Sequence, residues 1–296
     1  TGTPIDATID VFGSVVERYT MTESVKDGIT VNLVYEGRAA KVTLDEDKLE
    51  EIEAYYAKCE EEGANEHQIE ESKKAIANLD IILGDTDRLR AVAKDFVAHY
   101  EKRVGEGATV CGKAMFVCST RQIAFKLYQF IRELRPEWTE VREADEGVVL
   151  SDKERKEIKP IAKMNMVMTR AKDDPKEVWD ILGNDEYKRE LDRQFKKVKS
   201  NFKIAIVVDM WLTGFDVPEL DTMYLDKPVQ QHTLNQTISR VNRVCKGKDK
   251  GLIVDYIGIK KNMNLALKKY TNFESEEFEG VEQAVNIVKD QLEVLG

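Results

Sequence analysis

Gln236, Arg240 and Arg243 stand at i, i+4 and i+7 in a segment of helical propensity, so one helix face would present an amide and two guanidinium groups. Arginine stays charged and makes paired hydrogen bonds to phosphate oxygens, so such a face suits a polyphosphate and can neutralise charge on a transferring phosphoryl group. Alone this spacing is a weak signal, because exposed arginines commonly sit in solvated salt bridges. A second candidate lies upstream, where the apolar run 203–209 ends at Asp209 and the chain turns through Thr213 and Gly214 to Asp216. Ligands of open α/β sheets bind beyond the carboxyl ends of the strands, so Asp209 and the 213–216 turn are where a ligand site is expected. Asp209 equally fits a structural acid that binds nearby backbone.

The elements that must position these residues are legible in the apolar runs. Segments 114–119, 147–150, 203–209, 222–226 and 251–255 are apolar without alternation and bounded by polar residues. Strands buried on both faces read this way, which favours a parallel sheet. Ile123, Phe125, Leu127, Phe130, Ile131 and Leu134 follow the first run at roughly helical spacing until Pro136 stops them. The charged stretch between Val148 and Lys203 carries helical patterning and is read as crossover helices. Residues 29–35 largely alternate as a strand does, whereas 45–103 and the tail from Lys260 return to helical spacing.

Composition excludes several classes. The chain has 296 residues, 45 basic and 55 acidic, for a net charge of −10. It is therefore no basic protein that coats nucleic acid through bulk charge, and any DNA contact must be local. Segment 45–74 holds twelve acids against four bases, so most of the excess sits there. Cys59, Cys111, Cys118 and Cys245 form no CxxC pair and have no histidine at metal-ligand spacing, which reads as free thiols in a reducing cytosol. No apolar run of 18 residues and no signal-peptide pattern occurs, so neither membrane spanning nor secretion is expected. The opening Thr-Gly-Thr-Pro, without Met, reads as a cut from something longer. His67, His99 and His232 are scattered without a catalytic pattern. At least two of Trp138, Trp179 and Trp211 read as core. Residues 246–250 read as a solvated loop and 153–157 as an exposed helix.

The order strand-Asp, Thr-Gly-Phe-Asp, then Gln-x-x-x-Arg-x-x-Arg resembles motifs V and VI of superfamily 2 helicases. More narrowly, residues 212–218, 236–244 and 251–256 resemble the motor (R) subunit of type I restriction enzymes. Thr1-Gly2-Thr3-Pro4 is similar to motif III of those subunits. Phe12-Gly13, Tyr19-Thr20 and 35–38 are similar to their lobe-connecting region, and 114–121 to motif IV. Ser239 and Asn242 stand where many superfamily members have Gly.

The resemblance implies an α/β fold, a RecA-like parallel sheet flanked by helices, forming the second helicase lobe. It divides the chain into the end of the first lobe and connector (1–44), an acidic helical linker (45–103), the second lobe (104–258) and the start of a helical region (259–296). It makes Arg243 the arginine finger, Arg240 its partner, and Gln236, Asp216 and Asp209 nucleotide-coupling residues. Ser119, Thr120, Arg121, Thr213 and Gly214 would hold the DNA backbone, for which hydroxyls, a close-approach Gly and N–H groups at a helix start are chemically suited. The plainer reading of Ser119-Thr120 is a helix N-cap, compatible with that role. Thr1, Gly2 and Thr3 would couple the lobes.

No G-x-x-x-x-G-K-[ST] loop is present, and Asp-Glu pairs such as Asp145-Glu146 do not follow an apolar strand. ATP and Mg²⁺ would therefore be held mainly by a first lobe upstream of Thr1. With no nuclease pattern either, the fragment alone is expected neither to hydrolyse ATP nor to cut DNA. The implied partners are duplex DNA and the methyltransferase and specificity subunits of a cytoplasmic restriction-modification complex. Two rivals stay open: another superfamily 2 motor, and a non-enzymatic interaction module.

Overall fold

Six short apolar segments can hide both faces only if they pair with one another and are covered by helices. In the computed structural model, which describes residues 21–38, 80–145, 147–228 and 231–258, five of them do so and the sixth, at the sheet edge, is only partly covered. A turn of helix α1 (Met21–Lys26) precedes strand β1 (Asn32–Gly37). Helix α2 (Thr86–Gly105) leads to β2 (Ala114–Cys118) and α3 (Arg121–Leu134). Then come β3 (Val141–Arg142), α4 (Asp152–Glu157), β4 (Ile161–Ala162), β5 (Met164–Val167), α5 (Lys176–Leu182) and α6 (Asp185–Phe195). Finally β6 (Ile204–Val207), β7 (Thr222–Asp226), α7 (Gln231–Ile238) and β8 (Lys250–Asp255) complete the fold. The sheet runs β1-β8-β7-β2-β6-β5 with every pairing parallel, and β3 and β4 form a separate antiparallel pair.

Local chemistry sets the helix ends. The Asp85 carboxylate accepts from Arg88 N at 2.9 Å to start α2, and Thr120 Oγ1 accepts from Ile123 N at 3.3 Å to start α3. Helix α3 stops before Pro136, which opens a 3₁₀ turn carrying the buried Trp138. Ser151 and Glu154 form a capping box on α4, whose residues 153–157 are mostly exposed as expected. The core is contiguous, centred on Phe96 of α2, which lies edge-on to Phe116 and Tyr224 at 5.2 and 4.7 Å between centroids. At the start of β8, a Cβ on Gly251 would lie 2.2 Å from the carbonyl oxygen of Val241, so only Gly permits that approach.

Three sequence expectations differ from the structure. Residues 147–150 form no strand: Gly147 turns at φ +75° and Val149 is 81% exposed. The sheet takes β5 instead, from the stretch read as crossover helices. Its Asn165 is tolerated inside because Nδ2 donates to Ala162 O at 2.8 Å and Oδ1 accepts from Tyr187 Oη at 3.0 Å. Second, the early strand is shifted from 29–35 to Asn32–Gly37 and belongs to this sheet, along its whole length, beside β8. Third, the sheet unit draws α2 from the range assigned to a linker. The acidic 45–74 segment and the tail 259–296 lie outside the described residues.

Candidate functional site

Strand β6 ends beside β2 and β5, and the chain then loops from 208 to 221 before β7. Trp211 holds φ +69°, an unfavourable left-handed backbone for a side chain of that size. Packing imposes it: the indole stacks on Phe215 at 4.0 Å with 6° between planes and rests on Phe195 at 5.2 Å. With Trp211, Leu212 and Phe215 buried, Thr213 and Gly214 between them are left exposed. Gly214 itself takes φ +70°.

Helix α7 does not carry all three expected groups on one face. It stops at Ile238, because Ser239 Oγ and Arg240 Nε both donate to Gln236 O, at 2.7 and 3.2 Å, and the last turn tightens through Arg240 N on Thr237 O. Arg240 and Arg243 follow in the turn. The structure nevertheless brings them together with Asp216. Arg240 Nη1 donates to Phe215 O at 2.7 Å, and Arg243 Nε lies 3.5 Å from Asp216 Oδ1. Arg240 is half-buried, and burial, then the neighbouring Arg243 charge, lowers its pKa from the ordinary value. Arg243 and Asp216 remain 46% and 62% exposed. The backbone under Arg243 is fixed from far away: Thr30 bridges to it, and Val31 N donates to Asn242 O at 2.8 Å.

The other candidates are dispersed along the same sheet edge. Asp209 is 80% exposed and ion-pairs with Lys227, whose Nζ also donates to Val208 O at 3.0 Å. Thr120 caps α3, and Ser119 Oγ is buried without a hydrogen-bond partner. Arg121 is already engaged: its guanidinium donates to Thr169 O and to the Asp174 carboxylate, fastening the loop after β5. Thr1, Gly2 and Thr3 lie outside the described residues. Trp138 and Trp211 are core, as expected, while Trp179 is 38% exposed.

Sequence reasoning missed Lys248. Instead of standing in a solvated loop it is 6% exposed, with Nζ donating to Pro218 O at 2.9 Å and Leu220 O at 2.7 Å. Burial pushes its pKa down to about 8. It also missed His99, which is buried between Tyr224 Oη at 2.9 Å and Glu36 Oε2 at 3.2 Å. A basic residue in a Gly-Lys-Asp-Lys turn carries no local sign of burial, so no signal was available for Lys248.

Chemically, two guanidinium groups beside one exposed carboxylate make a site for an anion, and phosphate fits their donor set. Among the described residues no group of three or more His, Cys, Asp or Glu could hold a metal ion, and no helix is long and apolar enough to cross a membrane.

Residues 111–258 match the family described as type I restriction enzyme subunit R domain 3, and residues 1–69 match the SWI2/SNF2 ATPase family. The HindI type I restriction enzyme endonuclease subunit of Haemophilus influenzae is 38% identical over 100% of this chain and 26% of its own length. A Methanocaldococcus jannaschii protein named as the MjaIXP endonuclease subunit is 36% identical over 92% of this chain and 24% of its own length. The chain thus spans about a quarter of these relatives. A solved fragment of an HsdR subunit from Vibrio vulnificus superposes with a TM-score of 0.54 at 15% identity, over 92% of this chain and 41% of that one. That likeness speaks for the fold, a RecA-like parallel sheet flanked by helices. With the matched family covering half the chain, and with the 212–218 and 236–244 segments lying inside the match, the chain belongs to the R-subunit family of type I restriction enzymes and spans its helicase-like region.

Proposed function

We propose that this chain is the second RecA-like lobe of an ATP-dependent DNA translocase subunit of a type I restriction endonuclease. The observation that carries the reading is the meeting of Arg240, Arg243 and Asp216 at the carboxyl edge of the sheet. Their bonding separates their roles. Arg240 is tied to Phe215 O and acts as a strut between the 236–243 turn and the 208–218 loop. Arg243 has only an exposed pair with Asp216, of a kind that contributes about 0–1 kcal/mol and is readily exchanged for a phosphate. It is the residue free to reach across a cleft as an arginine finger.

ATP with Mg²⁺, held mainly by a first lobe, would supply the phosphoryl transfer that drives movement. This chain's part is to neutralise charge with Arg243, to keep Arg240 and Gln236 in register with the loop, and to hold duplex DNA by its backbone. Thr213 and Gly214 offer an exposed hydroxyl and open backbone for that grip, and Ser119 and Thr120 the start of α3. Arg121, engaged with Thr169 and Asp174, serves the grip by fixing the neighbouring loop. The parent subunit would work in the cytoplasm with methyltransferase and specificity subunits, which supply the site recognition.

The test is Arg243→Ala in the full-length subunit. DNA-stimulated ATP hydrolysis should fall about 10³-fold, the lower end of what an arginine finger contributes, with no change in melting temperature. Stimulated hydrolysis at the wild-type rate would end the assignment. The isolated 296-residue chain should be silent with or without linear duplex DNA.

A further inference from the structure

The segment from Phe215 to Asp221 carries the chain from the exposed loop back into β7, and cations hold it along its length. Arg240 takes Phe215 O at one end. Lys248 takes Pro218 O and Leu220 O at the other. Beside them, Lys113 Nζ lies 3.9 Å from Glu219 and Arg103 Nη2 lies 3.8 Å from Asp221. Arg240 and Lys248 both come from the stretch 240–248 that also carries Arg243, so one short length of chain grips both ends of the segment that follows the Thr213-Gly214 loop.

Lys248 is an unusual choice for this duty. Burying an ammonium is costly unless it is paired, yet Lys248 has no carboxylate within ion-pair distance among the described residues. Its donors go to two backbone carbonyls separated by one residue, which an apolar side chain would leave unpaired. Asp221, Cys245 and Glu219 lie close enough to favour its charge, against burial and Arg243, which oppose it. Gly251, having no Cβ, lets the start of β8 lie close against Val241 O.

We propose that Lys248 is a positioning residue that couples the DNA-gripping loop to the Arg240–Arg243 turn, so that a shift of one is carried to the other through Pro218 and Leu220. The inference rests on the reading of the site given above. A strut of this kind moves neither the DNA contacts nor the phosphate contact by itself; it sets how strongly one answers the other.

The measurement is ATP hydrolysis by the full-length subunit with and without linear duplex DNA, for wild type, Lys248→Met and Lys248→Arg, each with its melting temperature. The ratio of stimulated to unstimulated rate should fall about tenfold in Lys248→Met, within the usual range of coupling between two sites, and recover in Lys248→Arg. The unstimulated rate should hold. A Met variant that keeps the wild-type ratio overturns the proposal, as does a fall of both rates in proportion that Arg fails to rescue. Should the Met variant not fold, Lys248→Gln, which is uncharged and one bond too short to span the two carbonyls as lysine does, decides in the same way: a reduced ratio supports the coupling and an unchanged one overturns it. A wild-type subunit indifferent to DNA ends the reading of the site and this inference together. A stimulated wild type with an equally stimulated Lys248→Met ends the inference alone.

Discussion

The carboxyl edge of the sheet has two halves that look alike in sequence and do opposite things. Three strands run into an aspartate: Val207-Val208-Asp209, Leu225-Asp226 and Val254-Asp255. Over β7, β8 and β1 the edge is sealed. Asp226 is fully buried and accepts from both Nη atoms of Arg88, at 3.1 Å from Nη1, while Asp255 is buried and accepts from Tyr35 Oη, Ile257 N at 2.9 Å and Gly258 N at 3.1 Å. Over β6 the edge is open, and Asp209 stands in water with Lys227. The difference lies in what packs above. Helix α2 brings Arg88, Asp95 and His99 down on the sealed half, where Asp95 meets Arg38 at 2.5 Å and Tyr256 Oη at 2.9 Å. A strand-end acid is thus a ligand candidate only where no helix has claimed it.

Asp226→Ala should unseal the β7 end at the greatest cost in stability. Removing one partner of a buried ion pair strands the other, and the loss should be about 3–5 kcal/mol in denaturant unfolding. Replacing both, as Arg88→Met with Asp226→Leu, should recover much of it, since the desolvation of two ions disappears as well. A single-variant loss under 1 kcal/mol would mean that the sealed half is no more structural than the open one.

A smaller effect is expected from acid. Burial alone would raise the Glu36 pKa, but hydrogen bonds from His99 and Arg38 outweigh it and hold the carboxyl at about 2, below its ordinary 4.5. A depressed folded pKa gives stability that is fully present above pH 4.5 and lost as pH falls through about 2. Glu36→Gln should therefore melt below wild type at neutral pH, with the two curves converging between pH 4.5 and 2. Because Glu36 keeps 21% side-chain exposure, water shares its charge and the difference stays below that of Asp226. Parallel curves throughout that window would remove Glu36 from the network.

How much of this was legible follows the same division. Strands β2, β6, β7 and β8 stood out because unalternated apolar runs have one physical meaning in a short segment, burial on both faces. Strand β5 did not, since Asn165 interrupts it and is satisfied by Ala162 O and by Tyr187, 22 residues later. Residues 147–150 had the right letters and no partner strand. At the site, the grouping of Asp216, Arg240 and Arg243 was readable from motif order, but their placement beyond the end of α7 was not, because Ser239 and Arg240 terminate that helix through Gln236 O. Lys248 and His99 were illegible for one reason: burial of a polar side chain is decided by partners distant in sequence, here Pro218 and Leu220 or Glu36 and Tyr224.

The smallest expected effect completes the set. Asp209→Ala should leave unfolding free energy within about 0.5 kcal/mol of wild type, because an ion pair with one partner 80% exposed is screened and yields little. Placed beside Asp226→Ala, this gives two aspartates at the ends of parallel strands of one sheet whose stability costs differ several-fold. A loss for Asp209→Ala approaching that of Asp226→Ala would show that the β6 end is also held shut by its acid. With stability preserved, any fall in DNA-stimulated hydrolysis by the full-length Asp209→Ala subunit is attributable to the open edge itself, because the fold beneath it is intact.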